Sequence, residues 1–205
     1  MAKQLTRVRD IIDDYELKHL GDIKKELSAC KEVSRDYVYG KRLKKHSVED
    51  VFLSPNSHQR LFDGELEEVV DALTRANLQS LIFESFEDLY DAVRQIYSSN
   101  GHPNAILAIY DTALRIGYNH SPQILPQDYV YLYGGMDKDQ KPRGPKGGAI
   151  ALYGEEWVNA HLNPTYPPYR IETKWFADKF PNLPSWEIES ILCIYANKFT
   201  FNMPY

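Results

Sequence analysis

Apolar residues recur at helical spacing along most of this chain. Val8, Ile11, Ile12 and Tyr15 form one stripe, and Leu20, Ile23, Leu27 and Cys30 continue it beyond a break expected near Gly21. This pattern predicts an N-terminal helical hairpin over residues 1–46, closed by the basic cluster Lys41-Arg42-Leu43-Lys44-Lys45-His46. Residues 47–205 are then the main helical domain, joined to the hairpin through Gly40–Gly64, with Ser47 opening a short helix that stops at Pro55. From Glu65, the positions Leu66, Val69, Val70 and Leu73 face one way and Glu67, Glu68 and Asp71 the other, which predicts an amphipathic helix. Leu78, Leu81, Ile82 and Phe83 make an apolar run, read as helix or short buried strand. Ser85 and Asp88 have capping-box spacing, and Phe86, Leu89, Val93, Ile96 and Tyr97 keep the period up to the breaker Ser99-Asn100-Gly101-His102-Pro103. Asn104 is the expected cap of the next helix, with apolar face Ile106, Leu107, Ile109, Tyr110, Ala113 and Leu114, and Gly117 its expected stop.

After this point the texture changes. Asp128-Tyr129-Val130-Tyr131-Leu132-Tyr133 is β-branched and aromatic between Pro126 and Gly134-Gly135, so it reads as a strand. Ile150-Ala151-Leu152-Tyr153 is the expected partner, which makes Gly134–Gly148 a long loop. A last helix runs from a Ser185 cap through Trp186, Ile188, Ile191, Leu192 and Tyr195, with Glu187 and Glu189 near its positive end. The expected fold class is mainly α: a helical bundle with a helix-hairpin-helix-like centre and a small extended/β element near 128–153.

Composition narrows the function classes. An apolar share of 43% with 26% charged residues is that of a globular domain, and 15 tyrosines favour wet clefts and interfaces. No apolar run approaches the ~20 residues that span a bilayer. Met1–Arg7 lacks the apolar core of a secretory leader, so no membrane partner and a cytoplasmic location are expected. Cys30 and Cys193 are far apart and the six histidines are scattered, which gives neither a disulfide framework nor metal-ligand spacing. No cofactor is implied. The net charge of −5 is concentrated: residues 63–91 hold nine acidic side chains and one basic one, Arg75. The rest of the surface is left able to carry a basic patch.

Three groups carry candidate chemistry. Residues 96–117 resemble a helix-hairpin-helix module, in which loop glycines approach a phosphate and N–H groups at a helix start bind it. Gly101, Asn104 and Ala105 are the positions concerned, with Pro103 where that motif has its second glycine. Lys138, Lys141, Arg143 and Lys146 stand among glycines in Met136–Ala149 and can grip phosphate. That loop lacks the order of a nucleotide-binding P-loop, because Gly147 follows Lys146, and a solvated turn is its plain reading. Tyr110, Asp111 and Arg115, with Glu187, form a possible cleft, although Asp111 and Arg115 also have intrahelical pair spacing. A DNA-glycosylase reading requires a catalytic Asp soon after the hairpin. After Gly144-Pro145-Lys146, no Asp follows until Asp178.

The strings Ile109-Tyr110-Asp111-Thr112-Ala113-Leu114-Arg115-Ile116-Gly117, Val130-Tyr131-Leu132, Gly144–Ala149 and Ile188–Tyr195 together look like a family of uncharacterised bacterial proteins. The resemblance implies that residues from about Phe86 to Tyr195 form one unit, and it lends no mechanism. The leading expectation is a non-enzymatic DNA-contacting module using the 99–104 turn and the basic loop. The alternatives are a protein-interaction subunit docking a partner on the acidic 63–91 face, and an enzyme with a Tyr110, Asp111 and Lys146 cleft.

Overall fold

Helices built on the 3.6-residue repeat carry most of the structure, a computed structural model that describes residues 5–29, 63–163 and 169–205. In chain order they are α1 (Val8–Tyr15), α2 (Gly21–Ala29), α3 (Asp63–Ala76), α4 (Phe86–Ser99), α5 (Ile106–Tyr118), α6 (Gly144–Tyr153), α7 (Glu155–His161) and α8 (Ser185–Ile194). The strands are β1 (Tyr129–Tyr131), β2 (Gly135–Met136), β3 (Pro142–Arg143) and β4 (Arg170–Glu172). Contacts divide the chain into two units, Met1–Gly21 with Pro126–Tyr205, and Asp22–Leu125. The boundary expected at 46, the helix start at Ser47 and most of the Gly40–Gly64 connection lie outside the described residues.

No break occurs at Gly21, where the backbone stays helical with φ −62° and ψ −43°. A π turn over Glu16–Leu20 follows α1 directly, and α2 begins at Gly21. The wider winding of that π turn carries the helix through to the second apolar stripe.

In the Asp22–Leu125 unit, α4 packs on α5 and α3 on α4. Val69, Leu73, Leu78, Phe86, Leu89, Val93, Tyr97, Ile109, Ala113 and Ile116 are buried there. Burying each of the larger side chains contributes about 1.5–3 kcal/mol relative to exposure. Ser85 caps α4 as its spacing predicts, its Oγ accepting the Asp88 N–H at 3.1 Å. Three expectations change. Leu81 and Ile82 are 46% and 94% exposed, so the 78–83 run buries only its first residue. Ala105, not Asn104, sits at the N-cap of α5, and no side chain caps it. Gly117 lies inside α5, where a Cβ would meet the Ile124 carbonyl oxygen at 2.0 Å, so close approach rather than helix termination demands glycine.

In the other unit, β1 pairs antiparallel with β4, Val130 opposite Ile171, while β2 and β3 form a separate short hairpin. Ile150–Tyr153 is therefore not the partner of β1. It is the end of α6, a helix that begins where a flexible glycine loop was expected. The glycines are there for packing. A Cβ on Gly147 would lie 2.4 Å from the Gly135 carbonyl oxygen, and one on Gly148 would lie 2.1 Å from that of Leu192 in α8. Backbone thus meets backbone, and the glycine cost in helix propensity, about 1 kcal/mol each, is offset by that contact. Around it Val8, Ile11, Tyr15, Val130, Leu152, Ile171, Phe176, Phe180, Ile188 and Leu192 are buried. Among the described residues no helix is long and apolar enough to cross a membrane.

Candidate functional site

The turn between α4 and α5 is solvent-facing, with Gly101, Pro103 and Asn104 exposed. Three of its amides are nonetheless engaged. The His102 N–H donates to Tyr97 O at 2.8 Å and the Gly101 N–H to Ser98 O at 3.1 Å. This is the paired bonding of a Schellman C-cap, and it accounts for Gly101 at φ +86°. The Ala105 N–H donates to His102 O at 3.2 Å. Gly101 therefore terminates a helix, and of the helix-start donors expected to meet phosphate the Ala105 N–H points back into the chain.

The basic segment of Met136–Ala149 is built differently from a loose loop. Asp137 sits at the mouth of the β2–β3 hairpin and accepts the N–H groups of Asp139 and Lys141, each at 2.9 Å, and Arg143 Nε at 3.1 Å. The Lys141 amide bond, ahead of the Arg143 contact, holds the Asp137 carboxyl below the usual carboxylate range. Around this latch Lys138 and Lys141 are exposed, and the Arg143 side chain keeps 70% of its surface in solvent. Lys146 donates its backbone N–H to Tyr133 O at 3.1 Å and sets its ammonium 5.6 Å from the centre of the Tyr169 ring. The structure therefore gathers Lys138, Lys141, Arg143 and Lys146 on one hairpin and the helix start behind it.

The cleft residues fall in different units. Tyr110, Asp111 and Arg115 are on α5 in Asp22–Leu125, whereas Glu187 is on α8 in the other unit. Arg115 is buried, with Nη2 3.3 Å from Glu26 Oε1 and Nη1 3.8 Å from Asp111 Oδ2. Burial pushes the Glu26 carboxyl up, against the pull of Arg115. Tyr110 is 1% exposed, packed edge-on against Phe86. The nearby Tyr97 hydroxyl lies 3.0 Å from Thr112 Oγ1. Asp111 thus stands beside a guanidinium that neutralises it, an arrangement suited to holding α2 to α5. Glu187 is buried beside Glu189, which accepts the Tyr133 hydroxyl. Burial, then the neighbouring Glu187 charge, holds the Tyr15 phenol far above its ordinary range. Among the described residues no group of His, Cys, Asp and Glu is arranged to hold a metal ion.

Two aromatic features escaped the sequence reading. Tyr153, Trp157 and His161 stack in succession at 4.1 and 4.3 Å, at a spacing of four residues across α6 and α7. Both faces of Trp157 are covered by this stack, so it serves packing. Tyr169 is the other, 41% exposed with φ +64°, immediately before β4. No pattern in the sequence marked it. Comparison with protein-family models, with curated proteins and with solved structures finds no match.

Proposed function

We propose that this protein is a nucleic-acid-contacting module without catalytic chemistry of its own, and that its contacts come from the β2–β3 hairpin. One observation carries the reading: four cations fall within nine residues, Lys138, Lys141 and Arg143 on a hairpin held shut by Asp137 and Lys146 in the first turn of α6 behind it. The expected role of the 99–104 turn is reduced by its own hydrogen bonds. Four phosphate contacts give a salt slope of about −3 in log K against log salt, hence micromolar rather than nanomolar binding. The assay is fluorescence anisotropy of labelled oligonucleotides at ~50 mM salt, a concentration at which this electrostatic term is strong. The K138A/K141A/K146A variant should weaken binding and flatten the slope. Absence of binding by the native protein, or full binding by the triple variant, refutes the proposal.

A second reading, a docking face for a basic protein partner, is favoured by exposed Leu81 and Ile82 beside exposed Glu84 and Asp88. It predicts association that I82S abolishes, read by light scattering of the mixed components. An enzyme built on Asp111 gains no support, since Arg115 stands 3.8 Å from its carboxylate.

A further inference from the structure

Tyr169 occupies a backbone conformation that suits glycine or asparagine and disfavours a ring-bearing residue, at φ +64°. The Leu132 N–H fixes that conformation by donating to Tyr169 O at 2.7 Å, just before the β1–β4 ladder begins. That backbone does not favour tyrosine, and with the residue 41% exposed burial in the core does not account for it either. What the ring does have is a cation: Lys146 Nζ lies 5.6 Å from its centre, and Lys146 belongs to the basic group of the hairpin. An exposed ring next to an ammonium, with further cations close in sequence, pairs a stacking surface with phosphate neutralisation. Strained backbone at an exposed, chemically equipped side chain points to a ligand contact.

We infer that the hairpin site takes single-stranded nucleic acid, one base stacking on Tyr169 while Lys146 and the hairpin cations track the adjoining phosphates. The inference rests on the nucleic-acid reading above and adds the class of strand. Stacking selects single strands because a duplex hides the faces of its bases, and it tolerates any sequence because every base has such a face. A lone platform with four cations suits a footprint of a few nucleotides, about the lower end of single-strand site sizes.

The test compares labelled oligo-dT, oligo-U and a duplex of equal length, with native protein and Y169A, Y169F, Y169G and Y169L. The native protein should prefer both single strands over the duplex. Y169A and Y169G should bind them about ten-fold more weakly or worse, as loss of a stacking side chain does, while Y169F binds nearly normally. Thermal melting should leave Y169G as stable as the native protein or more so, since glycine accepts this φ without strain. If Y169A or Y169G fails to fold, Y169L against Y169F decides, because leucine keeps bulk and lacks the π face. Oligo-dT binding alone assigns the site to DNA and oligo-U alone to RNA, and either supports the inference. Equal duplex binding with Y169A indifferent, or Y169L matching Y169F, overturns the inference and leaves the nucleic-acid reading standing. If no oligonucleotide binds, both fall.

Discussion

Two helical glycines make opposite predictions when replaced by alanine. At Gly148 the added methyl carbon would sit 2.1 Å from the Leu192 carbonyl oxygen and 2.8 Å from its carbonyl carbon. The obstacle is backbone, so relief requires α6 and α8 to separate by about 1 Å, and overpacking of this kind costs about 1–3 kcal/mol or more. Alanine regains about 1 kcal/mol of helix propensity, which the displacement outweighs. We expect G148A to lose about 1–2 kcal/mol net, a Tm lower by about 2–8 °C at this chain length. Gly21 is the control. Its φ is −62°, and a Cβ there meets nothing within 4 Å. G21A should gain about 0.5–1 kcal/mol from propensity and reduced freedom of the unfolded chain. Urea unfolding followed by circular dichroism, with calorimetry for Tm, reads both. A G148A protein as stable as the native one would refute the claim that backbone contact, rather than loop flexibility, explains this glycine.

Further outcomes follow from the caps and charges. S85A should lose about 1 kcal/mol, since the Asp88 N–H loses its acceptor, measured by the urea midpoint. G101A should lose about 1–2 kcal/mol because alanine resists φ +86°, while oligonucleotide binding stays unchanged. R115M should cost about 2–4 kcal/mol by leaving Glu26 and Asp111 without their guanidinium, and should raise the Glu26 pKa further, read by carboxyl NMR titration. Asp137 has a folded pKa below its unfolded value, so its latch contributes stability above about pH 4 that is lost as pH falls through the depressed value. Native protein and D137N should therefore differ in stability at neutral pH and converge in strong acid; a constant gap across that range would contradict the latch.

The amphipathic helices were legible because their periodicity needs only local information. The faces of α4 and α5, the buried Val69 and Leu73 of α3 and the Ser85 cap follow from residue spacing alone. What failed depended on distant neighbours. Gly-Pro-Lys-Gly-Gly reads as loop by propensity, yet Gly147 and Gly148 are helical because Gly135 and Leu192 lie against them. The strand reading of Ile150–Tyr153 failed with it, since four apolar residues do not distinguish strand from helix. Of the candidate site, the four cations were visible in the sequence, while the Asp137 latch required the hairpin register that brings Lys141 and Arg143 back to it. Tyr169 was illegible, because neither its backbone angle nor the Lys146 contact leaves a spacing pattern. At Gly101 the sequence suggested a phosphate approach, and the Schellman bonds give the residue a structural purpose.

The first helix is fastened to residues remote from it in sequence. The Val8 N–H donates to Pro204 O at 2.7 Å, and the Tyr195 hydroxyl donates to Asp14 Oδ2 at the same distance. On the ribosome, α1 emerges early but cannot find these partners until nearly two hundred further residues have been translated. That unit therefore closes only once residues 195–204 have been made, and until then α1 lacks the partners that hold it.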